Sequence, residues 1–154
     1  MLHALCAMRA SFAFSFDLMR ILFSILSIAY IASIFLLAGS SIVSYLSVFN
    51  PYSLLHIPLY GILTVFIVFS FFPLPRWRSY SINHPDQKDQ TNRFLFAGLI
   101  ALGVAVADEI HQAYIPGREA SFTDVLLDAI GIALVLLLIH RIFRWKISTS
   151  TRPT

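Results

Sequence analysis

The sequence is poor in charge and nearly devoid of cysteine. Of its 154 residues, 58% are hydrophobic and only 12% are charged, which is about half the charge of a typical soluble domain. The single cysteine, Cys6, excludes an internal disulfide and a cysteine-ligated metal cluster. The HExxH motif, the P-loop, a Gly-rich nucleotide motif and the G-x-S-x-G elbow are all absent. The enzyme classes that depend on those motifs are therefore excluded.

Long apolar segments are what the sequence does contain. Four of them have about the 20 residues that a membrane-spanning helix needs. They cover residues 21–38, 54–72, 94–114 and 122–140. We therefore predict an all-α membrane protein, a bundle of four transmembrane helices over residues 21–140. A lead at 1–20 precedes this domain and a basic tail at 141–154 follows it.

The basic residues predict the orientation of the bundle. Ten of the eleven Lys and Arg fall in the lead, the second loop and the tail, and only Arg118 lies in the third loop. By the positive-inside rule both termini are cytoplasmic, as in a multi-pass protein of the cell membrane. The pI near 9.3 then reflects anchors to lipid heads, and no nucleic-acid partner is expected.

Acidic residues concentrate in one stretch of the chain. Residues 108–124 hold four of the eight carboxylates, and Asp128 follows one helical turn later. In the predicted topology this stretch lies at the outer face, where the second and fourth segments begin. At a rise of ~1.5 Å per residue, polar side chains from three helices share two depths. The deeper level holds Asp108, Asp128 and Tyr60, and the shallower level holds His56, Asp124 and Gln112.

Helical spacing predicts which way these side chains point. One stripe of the third segment contains Ala97, Ala101, Ala105, Asp108 and Gln112. Its small residues allow another helix to approach closely, so its polar end points into the bundle. Exposure of an ionisable group to lipid costs ~2.5–3.5 kcal/mol. We therefore expect a polar pocket that opens to the outside.

Structural roles compete with functional ones at several positions. Ser121 and Asp124 fit a capping box at the start of the fourth segment, which does not exclude a site role for Asp124. Asp108 and Asp128 lie outside any capping turn, which favours a site or a buried pair. Glu109 is on another helical face than Asp108, so both a solvated and a site role are open.

Arg118 and the net charge leave further alternatives open. Arg118 either neutralises carboxylates or grips an anionic group. Five ionised carboxylates and this arginine sum to −4. Crowding of this kind either protonates some carboxylates or is relieved by a cation with oxygen ligands, such as Mg²⁺ or Ca²⁺. The sequence decides neither point, assigns no metal ligand and identifies no cofactor.

The stretch "DEIHQAYIPGREASFTDVLLDAIG" resembles the signature of the VanZ-like family, and "LLHIPLYGIL" resembles a shorter element of that family. The resemblance covers about residues 21–140. It implies a small bacterial multi-pass membrane protein, and the family's namesake is associated with low-level teicoplanin resistance. Asp128 stands where asparagine is common in the family. The positions that correspond to the family's polar residues are His56, Asp108, Glu109, Gln112, Arg118, Asp124 and Asp128.

Three functions are compatible with these patterns. The favoured one is a non-enzymatic envelope protein that binds an amphiphile, either a lipid-linked envelope precursor or a lipoglycopeptide. The second is a membrane-embedded hydrolase of a lipid-linked phosphate or ester, with His56 as acid and base. The third is a structural subunit of a membrane complex; the lipid bilayer is a partner in all three. The predicted ligand-binding residues are His56, Tyr60, Asp108, Glu109, Gln112, Arg118, Asp124 and Asp128.

Overall fold

The structure, a computed structural model, is all-helical over the residues that it describes, namely 2–40, 54–72, 87–118 and 120–150. This confirms the predicted helical class. Within those ranges there are four α-helices and no strand. The helices are α1 (Leu2–Leu37), α2 (His56–Phe71), α3 (Gln87–Gln112) and α4 (Phe122–Ser150).

Three of these helices contain segments long and apolar enough to cross a membrane. The segments are Asp17–Leu37 in α1, Thr91–Gln112 in α3 and Phe122–Ile142 in α4. Each agrees within a few residues with a segment predicted from hydrophobicity. The helix continues beyond the apolar segment at the start of α1 and at the end of α4, so residues 2–16 of the lead are helical.

Helix α2 is shorter than the predicted second segment. It has 16 residues, a length of ~24 Å at 1.5 Å per residue, against a bilayer core of ~30 Å. Leu54 and Leu55 form a turn before it rather than its first residues. Pro58 lies in the first turn of α2, where a backbone N–H has no partner within the helix. The proline therefore removes no helical hydrogen bond.

Helix α2 is nevertheless the centre of the fold, because it contacts α1, α3 and α4. Its residues Tyr60, Leu63 and Val68 are completely buried. The predicted stripe of α3 is confirmed, since Ala97, Ala101 and Ala105 are completely buried and Asp108 and Gln112 nearly so. Small side chains at these positions let the helices approach closely, as is typical of packing between membrane helices.

Two contacts fix α2 against its neighbours. A Cβ added to Gly131 of α4 would overlap the backbone carbonyl of Ile57, so this position admits only glycine at the observed helix separation. On the other side of α2, the hydroxyl of Tyr30 in α1 donates to the carbonyl of Leu59 at 3.2 Å. The first turns of α2 are therefore held between α1 and α4.

The outward faces of the bundle are apolar. Exposed large hydrophobic side chains occur on all four helices, among them Ile28, Leu36, Ile62, Leu99 and Leu137. Continuous apolar surface of this kind marks contact with a membrane rather than with water. Together with the long apolar helices, it identifies a membrane protein.

Candidate functional site

Buried acidic side chains gather at one end of the bundle, where α2 and α4 begin and α3 ends. Asp108 and Glu109 come from α3, and Asp128 comes from α4, with exposed fractions of 2%, 5% and 0%. Elsewhere in the described part of the chain, the buried polar side chains are the hydroxyls of Ser27 and Thr64. Both donate to carbonyls of their own helices. The bundle thus has one buried ionisable cluster among the residues described.

An imidazole–carboxylate pair links α2 to α4. The Nδ1 atom of His56 lies 2.9 Å from Oδ1 of Asp128. The Nε2 atom of the same ring lies 3.8 Å from Oδ2 of Asp124, which is beyond hydrogen-bonding distance. With an ionised Asp128 as acceptor, Nδ1 carries a proton, and in the neutral ring Nε2 then keeps its lone pair. His56 and Asp124 are each about 15% exposed at the side chain, while Asp128 is not.

A second group of side chains forms around Asp108. Its Oδ2 atom accepts hydrogen bonds from the Tyr60 hydroxyl at 3.3 Å and from the Gln112 amide at 3.0 Å. The other end of that amide accepts a hydrogen bond from Nη1 of Arg118 at 2.7 Å. A half-buried guanidinium at the end of the bundle is thereby connected to a buried carboxylate. The rings of Tyr60 and His56 are nearly parallel, with centroids 6.4 Å apart, so the two groups adjoin.

The start of α4 is capped by a residue of α3. The backbone N–H of Ser121 donates to Oε2 of Glu109 at 2.8 Å. In the capping box expected from the sequence, Asp124 would have accepted this hydrogen bond, so that interpretation is corrected. The reason is tertiary: the loop folds back and brings the last turn of α3 beside the first residue before α4. Glu109 is buried, not solvated.

A short turn places Arg118 beside this cluster. Gly117 has a φ of 81°, a left-handed conformation that glycine adopts without strain. The N–H of Arg118 donates to the carbonyl of Ile115 at 3.1 Å, which closes the turn. Glu119, the remaining acid of the stretch, lies outside the described residues.

Several buried atoms of the site have no hydrogen-bond partner among the described residues. They are Oδ1 of Asp108, Oε1 of Glu109, Oδ2 of Asp128 and Nδ1 of His111. One ligand atom from each of His56, Glu109 and Asp128 falls within 4.8 Å of the others. These three residues are therefore the ones positioned to hold a metal ion.

Comparison with known proteins identifies the family. A family model described as VanZ/LLP1 matches residues 10–144, nearly the whole chain. The chain belongs to the VanZ/LLP1 family. Neither the curated proteins nor the solved structures contain a match.

All eight residues predicted for a site in this VanZ/LLP1 protein lie at the same end of the bundle. Those around Asp108 and those around His56 form the two adjoining groups described above. Sequence reasoning missed the hydrogen bond from the Ser121 N–H to Glu109. It also missed the position of His111, which is half-buried with its ring 5.3 Å from that of Phe35. The sequence left both a solvated and a site role open for Glu109, because helical spacing placed it on a different face from Asp108.

Proposed function

We propose that this VanZ/LLP1 protein binds an amphiphile, with the anionic head at Arg118 and the tail along the apolar helices. The observation that carries the proposal is the guanidinium of Arg118, held by Gln112 at 2.7 Å at the edge of a buried polar cluster. A guanidinium has five N–H donors, and its planar fork matches a phosphate or carboxylate bidentately. An anchored, half-buried arginine is suited to an anionic head.

Apolar side chains beside the cluster support an amphiphile over a water-soluble anion. Leu54 and Leu55 precede α2, and Tyr114 and Phe122 flank the turn that carries Arg118. All four are exposed, Tyr114 and Phe122 by more than three quarters of their surface. An aromatic ring with a polar group favours the membrane–water interface. The mouth of the cluster thus combines a cation with surface for a hydrocarbon chain.

The positions of the basic residues support access from outside the cell. Arg20, Arg93 and Arg141 lie toward the opposite ends of their helices from the polar cluster, and Nε of Arg20 contacts the carbonyl of Ser70 near the end of α2 at 3.4 Å. By the positive-inside rule that end is cytoplasmic. The ligand then comes from the outer leaflet of a bacterial membrane. A lipid-linked envelope precursor, or a lipoglycopeptide such as teicoplanin, has the required head and tail. The proposed role is in envelope function or glycopeptide resistance.

Lipid retention by an arginine variant tests the proposal. The protein is purified in nanodiscs made from bacterial lipid extract, and bound lipids are measured by native mass spectrometry. A charge-assisted contact contributes ~1.5–3 kcal/mol. We therefore expect Arg118→Ala to retain anionic amphiphile at a level lower than the wild type by a factor of about 10 or more. Arg141→Ala, which removes an exposed arginine from the other end of α4, serves as the matched control. Equal retention by both variants would contradict the proposal.

The tail is tested separately with a lipoglycopeptide. Binding of teicoplanin and of its deacylated core is compared by calorimetry on the same nanodiscs. An amphiphile site predicts tighter binding of the acylated compound, because each buried methylene contributes about 0.8 kcal/mol. Equal affinities would show that the acyl chain of teicoplanin is not bound, which would contradict the lipoglycopeptide as the ligand of an amphiphile site.

Hydrolysis of a lipid-linked phosphate or ester is a second candidate function, favoured by the His56–Asp128 pair. Asp128 orients the ring of His56 through Nδ1, which lies 2.9 Å from its Oδ1 atom. The other ring nitrogen, Nε2, lies 3.8 Å from Oδ2 of Asp124, which is too far for a hydrogen bond. A nitrogen so arranged is able to take a proton from an attacking water. Release of phosphate or acid from lipid-linked substrates, abolished in His56→Gln and preserved in His140→Gln, would establish this activity. Absence of turnover with either substrate class would leave binding alone.

A further inference from the structure

The geometry points to a divalent transition-metal site formed by His56, Glu109 and Asp128. An imidazole nitrogen and two carboxylate oxygens, one from each residue, lie within 4.8 Å of one another. The three residues belong to α2, α3 and α4, so a bound ion would cross-link three helices. This inference does not depend on the proposed amphiphile, because it concerns three residues other than Arg118.

The site is largely arranged before any ion binds. His56 and Asp128 already place Nδ1 and Oδ1 2.9 Å apart. Ligand atoms bound at ~2.0–2.2 Å around one metal ion lie at about 3–3.5 Å from each other, so this pair needs little change. Glu109 is fixed through Oε2 by the Ser121 N–H at 2.8 Å, which leaves Oε1 for the ion.

Two buried oxygen atoms provide an independent observation that points to a ligand. Oε1 of Glu109 and Oδ2 of Asp128 are buried without a hydrogen-bond partner among the described residues. Their residues are 5% and 0% exposed. Each carboxylate has a partner at its other oxygen, but a buried oxygen left without a hydrogen bond still destabilises the fold by about 1–3 kcal/mol. A divalent cation would coordinate both carboxylates and balance the two negative charges that they carry when ionised.

The ligand set selects the class of cation. Mg²⁺ and Ca²⁺ bind through oxygen alone, whereas imidazole together with carboxylate suits Zn²⁺, Mn²⁺ and related first-row ions. Three protein ligands leave at least one position for water or substrate. Asp124 lies outside this set of three, with its Oδ2 atom 3.8 Å from Nε2 of His56. An ion bound at Nδ1 would replace the proton that Nδ1 donates to Asp128, because a nitrogen that carries a proton has no lone pair for a metal.

Metal binding is tested on the full chain, purified in nanodiscs and stripped with a chelator. Zn²⁺ and Mn²⁺ are then titrated alone by calorimetry, with no lipid ligand added. We expect one ion per chain in the wild type and at least about 10-fold weaker binding in His56→Gln and Glu109→Gln. His140→Gln and Asp17→Asn alter exposed residues outside the cluster, so both should bind like the wild type. Arg118→Ala should also bind metal normally, which separates this test from that of the amphiphile.

Spectroscopy keeps the inference testable if a variant fails to fold. Co²⁺ replaces Zn²⁺ in the wild type, and X-ray absorption reports the atoms of the first coordination shell. One nitrogen with two or more oxygens at ~2.0–2.2 Å is expected. No binding by the wild type, a shell without nitrogen, or unchanged affinity in both His56→Gln and Glu109→Gln would each overturn the assignment.

Discussion

Gly131 of α4 lies directly against the backbone of Ile57 in α2, with no room for a Cβ between them. The contact is next to the imidazole–carboxylate pair, since Ile57 follows His56 and Gly131 is three residues after Asp128. One glycine therefore sets the separation of the two helices at the level where His56 and Asp128 meet at 2.9 Å.

Gly131→Ala should destabilise the bundle by about 1–3 kcal/mol, the usual effect of an overpacked methyl group. Unfolding by denaturant in detergent micelles measures this loss. Gly103→Ala is the matched control, because a Cβ at residue 103 of α3 meets nothing within 4 Å. It should be neutral or stabilising by about 0.5–1 kcal/mol. Equal stability of the two variants would show that the close contact is absent.

His56→Leu should destabilise the protein more than the double variant His56→Leu/Asp128→Leu. Removal of the imidazole leaves the carboxylate of Asp128 buried without its partner, at a loss of about 3 kcal/mol. Replacement of both residues removes the uncompensated charge as well. A double-mutant cycle on unfolding free energies measures the difference. Additive losses would contradict a direct interaction between the two side chains.

Glu109→Ala should destabilise the start of α4 by about 1–2 kcal/mol, in the range of a lost helix cap. Glu109→Gln keeps a carbonyl oxygen that accepts from the Ser121 N–H, so its loss should be much smaller. Hydrogen exchange of the first amides of α4 checks the location of the effect. Faster exchange in Asp124→Ala but not in Glu109→Ala would show that Asp124, and not Glu109, caps α4.

Residue 118 should be accessible from outside the cell. In a Cys6→Ser background, Arg118→Cys is expected to react with a membrane-impermeant maleimide in intact cells. Arg141→Cys should react only after the membrane is opened, because the positive-inside rule predicts that the basic end faces the cytoplasm. The reverse pattern would invert the predicted topology and remove the outer leaflet as the source of the ligand.

The parts of this fold that were predictable from sequence are local. Apolar length alone located the long segments of α1, α3 and α4. Helical periodicity alone placed Ala97, Ala101 and Ala105 on a buried face, with Asp108 and Gln112 continuing it. Both signals are carried by residues a few positions apart, so neither needs knowledge of the partner helix.

The parts that were not predictable depend on contacts between elements. The sequence offered Asp124 as the acid for the Ser121 N–H because the two are three positions apart. The structure uses Glu109, twelve positions away, because the turn at Gly117 returns the chain to the end of α3. The same turn brings the start of α4 to the end of α3, which places Asp128 and His56 near Glu109. The turn before α2 likewise shortened that helix, although hydrophobicity continues through Leu54 and Leu55.

The length of α2 has a consequence for the surrounding lipid. At ~24 Å its apolar face is several ångströms shorter than an average hydrocarbon core, and a mismatch of that size costs only fractions of a kcal/mol per Å to absorb. If the bilayer thinned at the first turn of α2 to match this helix, it would form a dimple beside His56. Lipid heads in the dimple would sit at the depth of the buried acids and could reach them without leaving the bilayer.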